Sequence, residues 1–428
     1  MSLLGRMISR FSDYVVLDES LRVLSLINAV MSFAGSLYGS LLGLYITGTL
    51  GVSILIFGFM NTVRDLVSSL VSFPSGVFSD IFGRKKMMML AIASSILTLL
   101  LLFLFKDPLW LLIALVFQGL SMSFMGPSSS AYVIDVIPEE KRGKAYATLA
   151  FLQSISSIVA TSIAGIIAVL LGFYWLFALA LILESAALCG AMLFLKESLH
   201  YSVERVDKNR RNGLSFTDFK NGLASLKNPL LLAVLLGIVF HTLGLGIQGP
   251  YLAIYAEDVL AFSLPTISLM LSAEQLGILI GHLPSGKIVD KYGGEISFAF
   301  HIAATSPCMI LFTVSKNPVL ASVILLLWGL TFGLDNVSRQ SLIAKYRSQA
   351  GVATAYGVIN LIAGMVALVS PAVGGLIWTQ FTPQAVFYAS AAINVLGSLP
   401  LFMLWLRNRK HRNHYDQPVY SRRAHGLH

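Results

Sequence analysis

Two stretches without a charged side chain, residues 87–105 (MMMLAIASSILTLLLLFLF) and 230–247 (LLLAVLLGIVFHTLGLGI), constrain this chain more than any other feature. A helix that crosses a bilayer needs about 20 predominantly apolar residues, and each stretch is close to that length. Comparable windows recur along the sequence, near 23–47, 51–73, 87–106, 109–132, 146–170, 174–195, 230–255, 263–285, 296–314, 318–343, 352–378 and 384–406. Of the 428 residues 56% are hydrophobic and only 12% charged, about half the charge of a soluble domain. A larger soluble core does not explain the deficit, because single cores stop growing near ~250–300 residues. In lipid every backbone polar group must be satisfied within the structure, so an all-α integral membrane protein of twelve spanning helices is expected.

The formal net charge of +9 is spread over short inter-span segments and both ends, with no stripe that would fit nucleic acid. If the N-terminus is placed in the cytoplasm, that side receives twenty-six Lys and Arg, including Arg84, Lys85 and Lys86, and the opposite side only Lys106 and Lys316. Such an excess predicts both termini inside a plasma (cytoplasmic) membrane. The resulting divisions are an amphipathic leader at 1–22, six spans at 23–195, a polar cytoplasmic linker at 196–229, six spans at 230–406 and a basic tail at 407–428. Cys189 and Cys308 are far apart and inside spans, so neither a disulfide framework nor a zinc spacing is available.

Residues 74–86 (PSGVFSDIFGRKK) and 284–293 (PSGKIVDKYG) share Pro, Ser, Gly, Asp and Gly in the same order, displaced by 210 positions. The same displacement relates Gly39 to Gly249, Tyr45 to Tyr255, Gly119 to Gly329 and Ala145-Tyr146 to Ala355-Tyr356. A constant shift without a gap indicates a duplicated six-helix unit. An even number of spans gives both copies one orientation, hence two parallel bundles related by pseudo-two-fold symmetry. The whole chain then resembles the major facilitator superfamily. Gly76-x3-Asp80-x2-Gly83-Arg84-Lys85 matches its motif between the second and third helices, and residues 131–146 (AYVIDVIPEEKRGKAY) resemble its loop between the fourth and fifth. Ser370-Pro371-x2-Gly374-Gly375 resembles the family's antiporter motif, here in the eleventh span, whereas the fifth span reads VATSIAG without proline.

Gly76 is expected to allow close helix approach and Gly83 a tight turn. The resemblance implies that Asp80 meets the start of the eleventh helix near Gly351–Thr354, and that Arg84 pairs with Asp135. Both contacts are expected only while the two bundles close at the cytoplasmic side, making Gly76, Asp80, Gly83, Arg84, Lys85 and Asp135 a conformational latch. The three cations also serve simply as a topology signal. Gly281-x4-Gly286-Lys287 imitates a phosphate-binding loop, but Ile288 stands where Ser or Thr is required, so direct use of ATP is not expected.

Ionisable residues inside spans default to functional candidates. Glu274, at the repeat position of Arg64 and without a cation at helical spacing, ranks first as a proton carrier, then Asp335 and Asp65. Asp335 and Arg339 are spaced to pair on one face. Arg64 and Asp65 diverge by roughly 100°, which argues against a common partner. The alternative is static ion pairing of Glu274 or Asp335 with Arg64 or Arg339. Glu184 has no partner evident in the sequence, and His282 and His301 read as packing residues. Since helices 1, 4, 7 and 10 line the family's cavity, the resemblance implies a wall containing Tyr38, Gln118, Met122, His241, Gln248, Tyr251, Trp328, Phe332 and Arg339, with Arg64 from the second helix. Such a wall would be aromatic and Met-rich and would suit an amphipathic solute; the alternative is that these stripes are ordinary helix packing.

The expected function is alternating-access secondary transport, chiefly efflux of an amphipathic or drug-like compound in exchange for protons by a functional monomer. Symport or uniport of a metabolite or organic anion is the alternative, and a non-transporting receptor a more distant one. No metal or triad spacing supports an enzyme, and no cofactor is called for.

Overall fold

The computed structural model describes residues 19–198, 228–346 and 352–415, and these form helices joined by short turns. The leader before Glu19, most of the linker, Gly351 and the end of the tail lie outside the described residues. Among the described residues, twelve helices are long and apolar enough to cross a membrane. In the first half they are α1 (Glu19–Gly39, continued by Leu42–Leu44 and a π-helical turn Tyr45–Thr49), α2 (Ile54–Phe82) and α3 (Arg84–Leu104). They continue with α4 (Pro108–Val136), α5 (Glu139–Leu170) and α6 (Phe173–Phe194). In the second half they are α7 (Pro229–Gln248, a 3-10 turn Gly249–Tyr251, then Leu252–Asp258), α8 (Leu264–Tyr292) and α9 (Gly294–Val314). The last three are α10 (Pro318–Phe332 and Asp335–Tyr346), α11 (Val352–Ala367 and Ser370–Gln380) and α12 (Pro383–Tyr415).

Local chemistry sets many of the boundaries. Asp107, Asn228 and Asn317 each cap a helix that begins with proline, accepting from a backbone N–H that would otherwise be orphaned. The segment PSGVFSD is not a turn: α2 runs through Pro74 to Phe82, and the chain reverses at Gly83, whose φ is +104°. Gly293, its repeat partner, has φ +93°. The 131–146 segment is not a loop either, because α4 extends to Val136 and α5 begins at Glu139, leaving Ile137 and Pro138 as the connection.

The duplication is visible in the packing. In the first half α1 packs on α5 and α6, α2 on α4, and α3 on α4 and α6; in the second, α7 packs on α11 and α12, α8 on α10, and α9 on α10 and α12. Between halves the main contacts are α2 with α11 and α5 with α8. One apolar core unites both halves, with Tyr45, Phe177, Tyr251, Phe312 and Phe387 among its buried side chains. Three others stay within one half each: Leu21, Met88, Tyr132 and Leu149, and the smaller group Met87, Ala91 and Phe124, in the first, and Leu231, Phe298, Leu342 and Tyr346 in the second. These separate cores lie toward the basic end, where Arg84 and Lys345 sit, and the shared core lies toward the far end. The halves are therefore joined at the far end.

Small residues make the junction tight. A Cβ on Gly58 would strike the carbonyl of Pro371, and one on Gly165 the carbonyl of Leu264, both across the halves. Across the same junction the Ala372 N–H donates to Thr62 Oγ1 at 3.2 Å, and within the second half the Tyr251 hydroxyl donates to the Pro371 carbonyl at 2.5 Å. By contrast, a Cβ on Gly76 would meet nothing within 4 Å, so close helix approach is not what Gly76 provides in this conformation.

Gly83 and Gly172 have similar positive φ values, +104° and +92°, but only at Gly83 would a Cβ collide, with the Glu197 carboxylate. Backbone strain alone costs about 1–3 kcal/mol. Both Gly→Ala variants should melt earlier in detergent than the unaltered protein, Gly83→Ala by the larger margin; equal losses would show that Glu197 yields freely.

Candidate functional site

Four helices lose their regularity near mid-depth: α1 at Ser40-Leu41, α7 at Gly249-Pro250, α10 at Gly333-Leu334 and α11 at Leu368-Val369. Interrupted spanning helices are tolerated where they border protein or a water-filled cavity. A cavity of about 590 Å³ lies there, touching the breaks in α1, α7 and α11 through Gly39, Ser40, Gly249, Pro250 and Ser370. That volume is in the range of small-molecule sites. Arg64 is ten residues into α2 from its far end, about 15 Å along the axis and near the middle of a ~30 Å hydrocarbon layer.

The wall includes Arg64, Gln118 and Trp328 from the expected set, together with Asp65 and Glu274. It adds Asn61, Thr242, Gln275 and Phe57, which the sequence reading did not single out. Tyr38, Met122, His241, Gln248, Tyr251, Phe332 and Arg339 do not line it. Tyr38, Gln248 and Tyr251 are buried in helix packing, His241 is buried inside the second half, and Met122 is exposed. The wall contains no methionine and carries more charge than expected. Helical spacing locates a face but not the depth at which that face opens.

Arg64 and Asp65 do meet. Arg64 Nε lies 2.9 Å and Nη2 2.8 Å from Asp65 Oδ1, the long guanidinium arm folding back across the angle between adjacent Cβ directions. Arg339 Nε lies 2.7 Å from Asp335 Oδ1, as their spacing predicts. Glu274, across the cavity, has no ion-pair or hydrogen-bond partner among the described residues. Its placement follows from the repeat: the α10 backbone at Gly329 presses on the Glu274 carbonyl as Gly119 of α4 presses on that of Arg64. Two glutamines border the same space with spare acceptors. Gln275 Nε2 donates to Thr161 Oγ1 at 3.1 Å and Gln118 Nε2 to the Tyr38 hydroxyl at 3.4 Å, and each leaves its carbonyl oxygen without a donor.

Glu184 lies in the core of the first half, where it accepts from Ser95 Oγ at 3.0 Å. Its repeat partner is Asn394, which meets His241 Nδ1 at 2.7 Å. The 210-residue shift, carried to these positions, is the signal that would have linked them.

At the basic end Arg84 Nε reaches Asp135 Oδ2 at 3.1 Å and Nη1 reaches Asp80 Oδ1 at 2.5 Å. All three residues belong to the first half, so Arg84–Asp135 pairing does not require the two halves to close, contrary to the sequence expectation. Gly351, named as an Asp80 contact, lies outside the described residues, and nothing is described of the side chains at 352–354. Lys85 Nζ donates to the Met192 carbonyl at 2.8 Å, again within the half. The second half has a counterpart with the charges exchanged: Glu295 on α9 pairs with Lys345 on α10 and accepts from Tyr346 and Asn408.

The sequence matches the profile of the Major Facilitator Superfamily over residues 24–240 and 234–423. It is 26% identical over 341 residues to the multi-drug resistance efflux pump PmrA of Streptococcus pneumoniae, covering 78% of this chain and 82% of that one. It is 25% identical over 388 residues to a PmrA homolog of Lactococcus lactis, covering 87% and 92%. Among solved structures, the fold is similar to the nucleoside transporter NupG, with a TM-score of 0.75 at 14% identity over 91% of this chain and 99% of that one. It is also similar to a peptide transporter POT in complex with sulfate, with a TM-score of 0.72 at 15% identity over 91% and 94%.

The two basic-end clusters should differ in sensitivity. Arg84 and Asp135 are 8% and 7% exposed, whereas Lys345 is 48% exposed and Glu295 keeps two other donors without it. Breaking a buried pair costs about 3–5 kcal/mol, an exposed one at most ~1. Asp135→Ala is expected to lower the melting temperature in detergent clearly more than Lys345→Ala; the reverse order would refute this ranking.

Proposed function

Given that the chain belongs to the Major Facilitator Superfamily, we propose that it is a secondary transporter that exports amphipathic organic cations in exchange for protons. The observation that carries this reading is Glu274, a carboxylate on the cavity wall with no cation of its own. Arg64 is already held by Asp65 and Arg339 by Asp335, so an organic anion would have to displace an existing partner, whereas a cation finds an open one. The unpartnered carbonyl oxygens of Gln118 and Gln275 add acceptors for N–H donors, and Phe57 and Trp328 offer aromatic faces for a flat cationic ring. The names of the relatives, multidrug efflux pumps, agree with this chemistry.

Exchange follows from competition for one carboxylate. A substrate cation and a proton cannot both neutralise Glu274, so loading one releases the other as the cavity alternates between the two sides. The basic end faces the cytoplasm in this reading, from the twenty-six to two distribution of Lys and Arg, and both termini lie there. The described conformation is then sealed outside. The Asp80–Arg84–Asp135 group would serve as the anchor on which the first half receives the start of α11 when the inside closes. A functional monomer is part of the same reading.

Ethidium, a flat aromatic cation, is a suitable probe in proteoliposomes with an imposed pH gradient. Glu274→Gln is expected to lower gradient-driven ethidium movement about tenfold or more, the worth of one charged hydrogen bond. Movement at the unaltered rate in this variant would refute the exchange mechanism.

A further inference from the structure

Away from the cavity wall, α7 and α9 bring two fully buried histidines together with their rings nearly perpendicular: His241 Nε2 lies 3.2 Å from His301 Nε2. Their surroundings determine where the ring protons sit. Asn394 Nδ2 donates to the Ser390 carbonyl at 2.9 Å, which leaves Asn394 Oδ1 as the acceptor facing His241 Nδ1 at 2.7 Å. His241 therefore carries its proton on Nδ1 and presents a lone pair at Nε2. Thr331 Oγ1 donates to the Trp328 carbonyl at 2.7 Å, so it accepts from His301 Nδ1 at 3.2 Å. His301 then also presents a lone pair at Nε2, and two lone pairs confront each other across a hydrogen-bond distance.

We infer that the His241–His301 pair is the binding site of one proton, shared between the two Nε2 atoms. The balance is simple: one N–H bond forms, the second Nε2 accepts from it, and nothing leaves. Without that proton, His301 must move its own to Nε2, and Thr331 must turn its hydroxyl from the Trp328 carbonyl to His301 Nδ1. With it, every hydrogen bond in the chain from Asn394 to Trp328 is made at once.

The groups facing the pair fit one positive charge better than two. On α10, Asp335 Oδ1 lies 3.9 Å from His241 Nε2 and is bonded to Arg339, so this ion pair is nearly neutral beside the histidines. Phe298 on α9 and Phe332 on α10 pack on the rings, Asn394 faces them from α12, and His282 on α8 is close enough to Asp335 to interact with its charge. A divalent metal ion bound by the same three side chains would need ligand atoms about 3.4 Å apart for tetrahedral bonds near 2.1 Å. Here the three ligand atoms are spread over as much as 4.8 Å, and Asp335 would have to leave Arg339 to close the gap.

The site reaches the cavity through Trp328, which lines the wall, and Thr242, the neighbour of His241 that does the same. That the proton acts on transport rests on the transport reading above; that the pair binds it does not, so the test is made without substrate. In full-length protein in lipid nanodiscs, labelled with ¹⁵N at histidine, ring spectra are recorded between about pH 5 and 8, where histidine ordinarily changes charge. The expected result is a proton shared by two Nε2 nitrogens at the acid end, lost toward the alkaline end, absent in His241→Gln and His301→Gln, and retained in His282→Gln. Should the histidine variants fail to fold, Thr331→Val removes only the acceptor behind His301 and should reduce occupancy of the shared proton roughly fivefold at a given pH. The inference is overturned if both Nε2 nitrogens stay bare throughout the range. It is equally overturned if the purified protein carries about one equivalent of metal that His301→Gln removes. Failure of ethidium transport with the shared proton present would count against the exchange reading and leave the proton site standing.

Discussion

The joint between the two six-helix bundles at the far end is the contact on which the other features depend. It brings α2 against α11 and α5 against α8, with Gly58 and Gly165 letting the partner carbonyls approach. Inside a bilayer there is no hydrophobic gain from pressing one apolar helix on another, so association rests on close packing and on hydrogen bonds such as Ala372 N–H to Thr62 and Gln275 to Thr161. Placing that joint at one end determines where the cavity closes, which residues form its wall, and which ends of the bundles remain apart.

Duplication left a more detailed imprint than the shared motif. Asp135, which holds Arg84, corresponds to Lys345, which holds Glu295; Ser198, which donates to Asp135, corresponds to Asn408, which donates to Glu295. The register differs by one residue, because the repeat position of Arg84 is Gly294 and that of Glu295 is Lys85, so the second half builds its pair from the neighbouring residue of α9 with the charges exchanged. An ion pair needs opposite charges but is indifferent to which helix carries which. A similar correspondence relates Glu184 with Ser95 to Asn394 with His241: a polar group on the sixth helix of each half, hydrogen-bonded to a neighbouring helix in its own bundle.

Much of this was legible before any coordinates. Charge-free runs gave the twelve helices, the constant shift gave the two bundles, and the spacing of Asp335 and Arg339 gave their ion pair, because all three depend on local periodicity. The cavity wall was only partly legible. Its polar character depends on which turn of each helix lies at the breaks in α1 and α7, and that is fixed by contacts between halves. Pairs such as His241 with His301 join residues sixty positions apart and carry no local pattern. The pairing of Arg64 with Asp65 was not legible for another reason: Cβ directions describe where a side chain starts, and a guanidinium on a long flexible arm ends elsewhere.

Glu197 stands where the first bundle gives way to the linker, and its carboxylate accepts from the backbone N–H groups of Arg84 and Lys85, at 2.8 and 3.2 Å. An anion on the first turn of a helix is favoured by the aligned peptide dipoles as well as by the hydrogen bonds themselves. The tether joining the bundles is thereby moored to the opening turn of α3. On the proposed transport reading, any pull transmitted through Glu197 reaches the Gly83 bend first, which couples this end of the first bundle to the motif.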